Sequence, residues 1–261
     1  ETLVYEADWN VKAKPFENDF DTTFFVDTKT HREALNRIVF AAAERKSLVL
    51  LTAEHGLGKT YVAHVAMHKL ASQGGAVGLI SNPSQSPEDF LRQVNNAFGL
   101  SSESFSKHEL LEALREYLAG VSRGGGRSTL FIDNADSIED ATLLTELRKL
   151  LDISGPNGHG LLTIVIMAHP SFHTLLRAEP GLLQRIDVGA GLEAFDFEDT
   201  KSYLLQRIRL ANGPRHMFEN AAIQSIFGVS KGVPRVINRL CDFALVIGTM
   251  QGLEQVTPEL A

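Results

Sequence analysis

Between an apolar run, Ser47 to Thr52, and a helical pattern beginning at Lys59 stands the stretch Ala53-Glu54-His55-Gly56-Leu57-Gly58-Lys59-Thr60. Gly56 and Gly58 permit backbone turns that aim successive N–H groups inward at the positive end of the following helix, an arrangement that holds a phosphate. Lys59 then reaches β- and γ-phosphate oxygens, and the Thr60 hydroxyl is placed for Mg²⁺. The pattern is a Walker A loop with Ala53 at its first glycine position, which is tolerable if Ala53 keeps a negative φ. The plainer reading is a glycine-rich turn that happens to end in Lys-Thr. Strand, loop, helix and a downstream acidic strand together speak against it. The segment therefore reads as a site for ATP with Mg²⁺, lined by these eight residues and the following Tyr61.

The acidic strand is Thr129-Leu130-Phe131-Ile132-Asp133, the Walker B pattern, whose Asp133 would hold the magnesium shell together with Thr60. Alone, an Asp after a core strand is a common turn start; beside a Walker A loop it gains meaning. Asn134 follows it. An amide can orient water but lacks basicity, so a general-base contribution of roughly 10²–10⁴ in rate is absent unless Asp136 or Glu139 supplies it.

Short apolar runs alternate with helical stretches over most of the chain, which predicts an open parallel sheet with helices on both faces. The predicted strands are Ser47 to Thr52, Ala76 to Ser81, Ser128 to Asp133, Leu161 to Met167 and Ile186 to Val188, each expected to be buried on both faces. Helices are predicted at Lys59 to Ala71, Pro87 to Phe98, Lys107 to Ala119, Ala141 to Leu151 and Ser171 to Arg177. Loops are marked by Gly74-Gly75, Gly124 to Gly126 and Gly155-Pro156-Asn157-Gly158. After Leu192 the pattern turns helical: a helix capped by Asp196 and stopped at Asn212-Gly213-Pro214, then Phe218 to Phe227 and Pro234 to Met250. The fold class is α/β, a P-loop NTPase with a small all-helical lid. The divisions are a lead-in at 1–30, a nucleotide-binding core at 31–192 and the lid at 193–261.

The 44% of hydrophobic residues suffices for a sizeable core, and no apolar run approaches the ~20 residues of a membrane span. The sequence opens at Glu1 without a signal or transit segment, which reads as a trimmed piece whose tethering region lies elsewhere. A single cysteine, Cys241, excludes an internal disulfide and fits a reducing compartment; its apolar neighbours at helical spacing point to burial rather than nucleophilic chemistry. The nine histidines show no metal-ligand spacing, His64 and His68 included. A net charge of -7 weighs against non-specific nucleic-acid binding, and Arg32, Arg37, Arg45 and Lys46 read as the solvated face of a helix.

With these elements in order, the chain resembles the AAA+ ATPases of the ExeA type, associated with general secretion and envelope assembly. The resemblance runs through Pro15-Phe16, Phe24-Phe25, His31-Arg32-Glu33-Ala34-Leu35, Leu51-Thr52-Ala53-Glu54, Ser81-Asn82-Pro83 and Leu147-Arg148-Lys149-Leu150. Its most specific match is Gly232-Val233-Pro234-Arg235-Val236-Ile237-Asn238-Arg239-Leu240-Cys241. It implies a Glu where Asn134 stands and a sensor Gln where His169 stands. A His there could still bond the γ-phosphate or water, with a charge that varies near neutral pH; a turn cap before Pro170 is the plainer role. The resemblance further implies an arginine finger at Arg185, acting in a neighbouring subunit, and a lid sensor at Arg235 that contacts the γ-phosphate.

The resemblance also implies a homo-oligomer, ring or filament, in the cytoplasm, peripheral at the inner membrane through other regions or partners. It would serve a protein partner in an export or envelope assembly, with slow hydrolysis because of Asn134. A DNA-transposition helper ATPase, which would make nucleic acid a partner, and a non-catalytic nucleotide-sensing scaffold are the alternatives.

Overall fold

The computed structural model describes residues 5–101, 105–155 and 158–260; Pro156 and Asn157 of the expected glycine-rich loop lie outside them. The chain forms two compact units. One holds residues 30–54 and 62–192, the other the described residues of 1–29, 55–61 and 193–261.

In the first unit, in chain order, come α1 (Lys29–Ala43), whose first residue groups with the other unit, β1 (Leu48–Thr52), α2 (Lys59–Ser72), whose first three residues do so too, β2 (Ala76–Ile80), α3 (Pro87–Ala97) and α4 (Lys107–Arg123). They are followed by β3 (Ser128–Ile132), α5 (Ala141–Leu151), β4 (Leu162–Ala168), α6 (Phe172–Leu176), α7 (Pro180–Leu183) and β5 (Ile186–Gly191). All strand pairs are parallel, in the order β2-β3-β4-β1-β5. The three inner strands are almost wholly buried, which is why they are predominantly apolar rather than alternating. The expectation of two buried faces fails at the edges. β2 is half-buried, and β5 alternates half-buried with exposed, because each has a neighbour on one side only. β5 also runs three residues past Val188, since Gly189, Ala190 and Gly191 pair through their backbones and carry little apolar signal.

Helices α3, α4 and α5 start where capping side chains satisfy free N–H groups. Ser86 accepts from Asp89 N at 3.4 Å, Ser106 and Glu109 form a reciprocal capping box, and Asp140 accepts from Thr142 N at 2.9 Å. The apolar stripe of α5 (Leu143, Leu144, Leu147, Leu150, Leu151) closes one face of the core. Arg37 is exposed, as expected of a solvated face, and from there it donates to the Gly189 carbonyl on the edge strand and pairs with Glu33.

The second unit contains α8 (Phe197–Leu210), α9 (Asn220–Ser230) and α10 (Pro234–Gln251). Asp196 caps α8, accepting from Asp199 N at 2.7 Å, and the chain turns away through Asn212 at φ 58°. The lead-in packs into this unit's own core with Phe16, Ile208, Met217, Ile226, Ile237 and Leu245. Trp9 donates its ring N–H to Leu245 O and Thr249 Oγ1, both at 3.0 Å. Arg207 is 3% exposed, and its guanidinium donates to the carbonyls of Pro15, Glu17 and Phe24 while lying 5.0 Å from the Phe24 ring centroid. Cys241 is fully buried, and burial pushes its thiol well above the ordinary range, so it is inert packing.

Candidate functional site

The loop between β1 and α2 has the backbone its glycines were expected to allow: Gly56 sits at φ 82° and Gly58 at φ 96°. Ala53 is not among the described residues of positive φ. Its N–H donates to Ala168 O at 3.2 Å and so prolongs the strand ladder before the loop turns. Lys59 and Thr60 open α2, and Lys59 is only 9% exposed. Leu57 is buried, whereas His55 is exposed.

Arg235, in the first turn of α10, donates its backbone N–H to Gly56 O at 3.2 Å. A side chain at Gly56 would press within 3.0 Å of Val233 and 3.2 Å of Arg235, so this approach needs glycine. The preceding turn is equally constrained. Gly232 has φ 77°, a Cβ there would lie 1.9 Å from Phe195 O, and Phe195 N donates to Gly232 O at 2.9 Å. Tyr61 donates its hydroxyl to Asp21 O, and its ring centroid lies 5.8 Å from that of Phe25. Burial raises the Tyr61 hydroxyl's pKa, so it stays a donor. Bonds from the Thr23 side chain and backbone hold the Asp21 carboxyl below its usual value.

In the sheet unit, Asp133, Asn134 and His169 follow the ends of the inner strands β3 and β4, whereas Arg185 stands before the start of the edge strand β5. Asp133 follows β3, is 4% exposed, and accepts from Asn134 N at 2.9 Å. Asn134 is left-handed, φ 51° and ψ 39°, a conformation asparagine tolerates. Its side-chain amide donates to Ser81 O at 3.0 Å and Asn82 Oδ1 at 3.3 Å.

His169 follows β4. Its backbone N–H donates to Asp136 Oδ1 at 2.8 Å, and its Nε2 lies 2.8 Å from Glu54 Oε2. Its Nδ1 is 2.9 Å from Ser171 Oγ and accepts from Ser171 N at 3.2 Å. Asp136, considered as a stand-in base, thus anchors the His169 backbone; Glu139 has its own N–H bound to Gln85 Oε1 at 3.0 Å. Arg185 pairs with Asp152, both side chains being more than 40% exposed, so the pair is worth about 1 kcal/mol at most. The Glu54–His169 pair joins residues 115 positions apart, a contact no spacing rule announces. Among the described residues, no helix is long and apolar enough to cross a membrane.

The protein family described as AAA domain matches residues 42–176. General secretion pathway protein A of Aeromonas hydrophila is 27% identical over 257 residues, which cover 97% of this chain and 46% of that protein. The chain therefore spans about half the length of this curated relative. Among solved structures, the ORC2 protein of Aeropyrum pernix, determined in ADPNP–ADP complexes, superposes with a TM-score of 0.74 at 15% identity, covering 95% of this chain and 70% of that one. Cdc6p of Pyrobaculum aerophilum superposes with a TM-score of 0.72 at 13% identity, covering 94% and 68%. At such identities these two likenesses speak to the fold.

Proposed function

The chain belongs to the AAA domain family, and on that premise we propose that it binds ATP with Mg²⁺ and acts as a nucleotide-dependent, self-assembling switch or motor domain. It would serve a bacterial-type secretion or envelope assembly and turn ATP over slowly. The observation that carries this reading is the left-handed pair Gly56 and Gly58 leading into Lys59-Thr60 at the start of α2, with α10 bonded to that loop through Arg235 N. Such a loop offers N–H donors to phosphates.

The donor set suits a hard cation: a hydroxyl from Thr60 and a carboxylate from Asp133 at the end of a buried strand. Bound Mg²⁺ would neutralise phosphate charge. Lys59 would bind the β- and γ-phosphates, His169 and Arg235 would read the γ-phosphate, and Ala53 to Tyr61 would line the site. Slow turnover is supported by Asn134, which has no basicity and whose amide is held by Ser81 and Asn82. The working divisions are 1–30, 31–192 and 193–261. Arg185 would act in a neighbouring subunit, and the exposed pair with Asp152 is weak enough to exchange on assembly. Similarity to General secretion pathway protein A supports the machine class, and with it a place on the cytoplasmic side of the inner membrane.

The test is direct ATP binding with Mg²⁺, alongside phosphate release over a range of protein concentrations. Wild type should bind ATP, Lys59→Ala should weaken binding about 100-fold or more, and the rate per subunit should rise with concentration. Equal binding by Lys59→Ala would sink the reading.

A further inference from the structure

We propose that the outer face of α8 is a docking groove for an extended acidic segment of a partner protein, one that carries an acidic, an apolar and an acidic residue at alternate positions. The groove lies wholly within the helical unit and holds none of the residues assigned to the nucleotide.

A cavity of about 390 Å³ lies along α8, lined by Glu198, Lys201, Leu205, Arg209 and, from beyond the helix, Arg215. Ser202 and Gln206, hydrogen-bonded to each other at 2.9 Å, complete its wall. The turn that returns Arg215 to the helix is closely packed. Asn212 is left-handed at φ 58°, and Gly213 N donates to Ile208 O at 2.9 Å. A Cβ at Gly213 would lie 2.7 Å from Val11 and 3.0 Å from Ile208, so the chain folds back tightly there.

The chain as a whole is acidic, with a net charge of -7, yet this groove gathers Lys201, Arg209 and Arg215 against the single carboxylate of Glu198. Among the described residues, no carboxylate lies within ion-pairing distance of those three cations. Leu205, 37% exposed, stands between Lys201 and Arg209. A nucleic-acid strand would bring charge to every position, gain nothing from Leu205 and meet repulsion at Glu198. Charge and apolar surface in alternation match a peptide instead.

The spacing sets the register. Lys201, Leu205 and Arg209 follow one another at intervals of four residues, about 6 Å of helix rise each. An extended peptide advances about 6.6 Å every second residue and turns those alternate side chains to one face. Its first acidic residue then meets Lys201, the apolar one covers Leu205, and the second acidic residue enters between the guanidiniums of Arg209 and Arg215. Glu198 repels a further carboxylate at its end of the groove, which disfavours a shifted register.

The probe is a capped peptide bearing an uncharged dye, Ser-Asp-Ser-Leu-Ser-Asp-Ser, titrated with the full chain at low salt and followed by fluorescence anisotropy. Saturable binding is expected. Arg215→Glu, or exchange of both peptide aspartates for asparagine, should weaken it about tenfold or more, and Leu205→Ser several-fold. Both substitutions replace exposed side chains, circular dichroism checks that the variants stay folded, and the asparagine peptide tests the charge requirement on wild type alone. Absence of saturation overturns the proposal, as does equal affinity for a peptide whose two aspartates are adjacent. Tighter binding of a single-stranded oligonucleotide, lost in Arg215→Glu, would overturn it in favour of nucleic acid. Loss of self-association in Arg215→Glu with peptide binding unchanged would overturn it in favour of a second copy of the chain.

Discussion

The side-chain amide of Asn134 donates to the carbonyl oxygen of Ser81 over 3.0 Å, tying the end of β3 to the segment that leaves β2. Replacing Asn134 with Glu removes this donor and the one to Asn82, and forces a larger side chain to hold φ 51°. The expected cost is about 1–2 kcal/mol. Chemical denaturation should show the midpoint falling for Asn134→Glu; a variant as stable as wild type would contradict the clamp.

Arg207 holds the lead-in from within the core of the helical unit. Arg207→Leu strips the donors from three backbone carbonyls at once, and stability should drop by roughly 2–4 kcal/mol. Arg207→Lys should restore only part of this, because an ammonium lacks the planar fork that spans Pro15, Glu17 and Phe24. Full rescue by lysine would mean that charge rather than geometry matters here.

Glu146 is 6% exposed and accepts from both Lys107 and Lys149 through Oε1, at 2.8 and 2.9 Å. Burial pushes its pKa up, but the two lysine bonds outweigh that, and the net shift is downward. A folded-state pKa below the unfolded one stabilises the fold above the ordinary value of about 4.3, and that contribution fades as pH falls through the lowered folded value. The stability gap between wild type and Glu146→Gln, measured by denaturation from pH 7 to pH 3, should therefore narrow on acidification. A constant gap would refute the linkage.

Two glycines on the helical unit invite a paired comparison. Gly232→Ala places a methyl 1.9 Å from Phe195 O, so the Phe195–Gly232 bond must break; the expected loss is roughly 3 kcal/mol or more. Gly252, at φ 65° with nothing within 4 Å, should accept alanine for about 1 kcal/mol. Similar melting temperatures for both variants would contradict the close approach at Gly232.

The sequence reveals what is local and periodic. The β1–loop–α2 segment is readable because its unbroken apolar run, its glycines and the Lys-Thr pair each state one structural need. The far end of β5 is not, because Gly189 to Gly191 act through their backbones. Arg207 reads as one more charge on an amphipathic helix, although its partners lie some 190 positions away. The Glu54–His169 pair is hidden for the same reason. Each residue has an ordinary place in its own motif, and the bond between them follows only from the pairing of β1 with β4.

Trp9 is the sole tryptophan of the chain, and it is 3% exposed, with its ring edge fitted against Gly248 on α10. The helical unit therefore carries its own optical reporter, while the sheet unit has no indole at all. Tryptophan-selective emission follows the melting of one unit, whereas far-ultraviolet circular dichroism follows both. Coincident curves would mark a single cooperative protein, and a displaced emission curve would give the lid and lead-in a stability of their own.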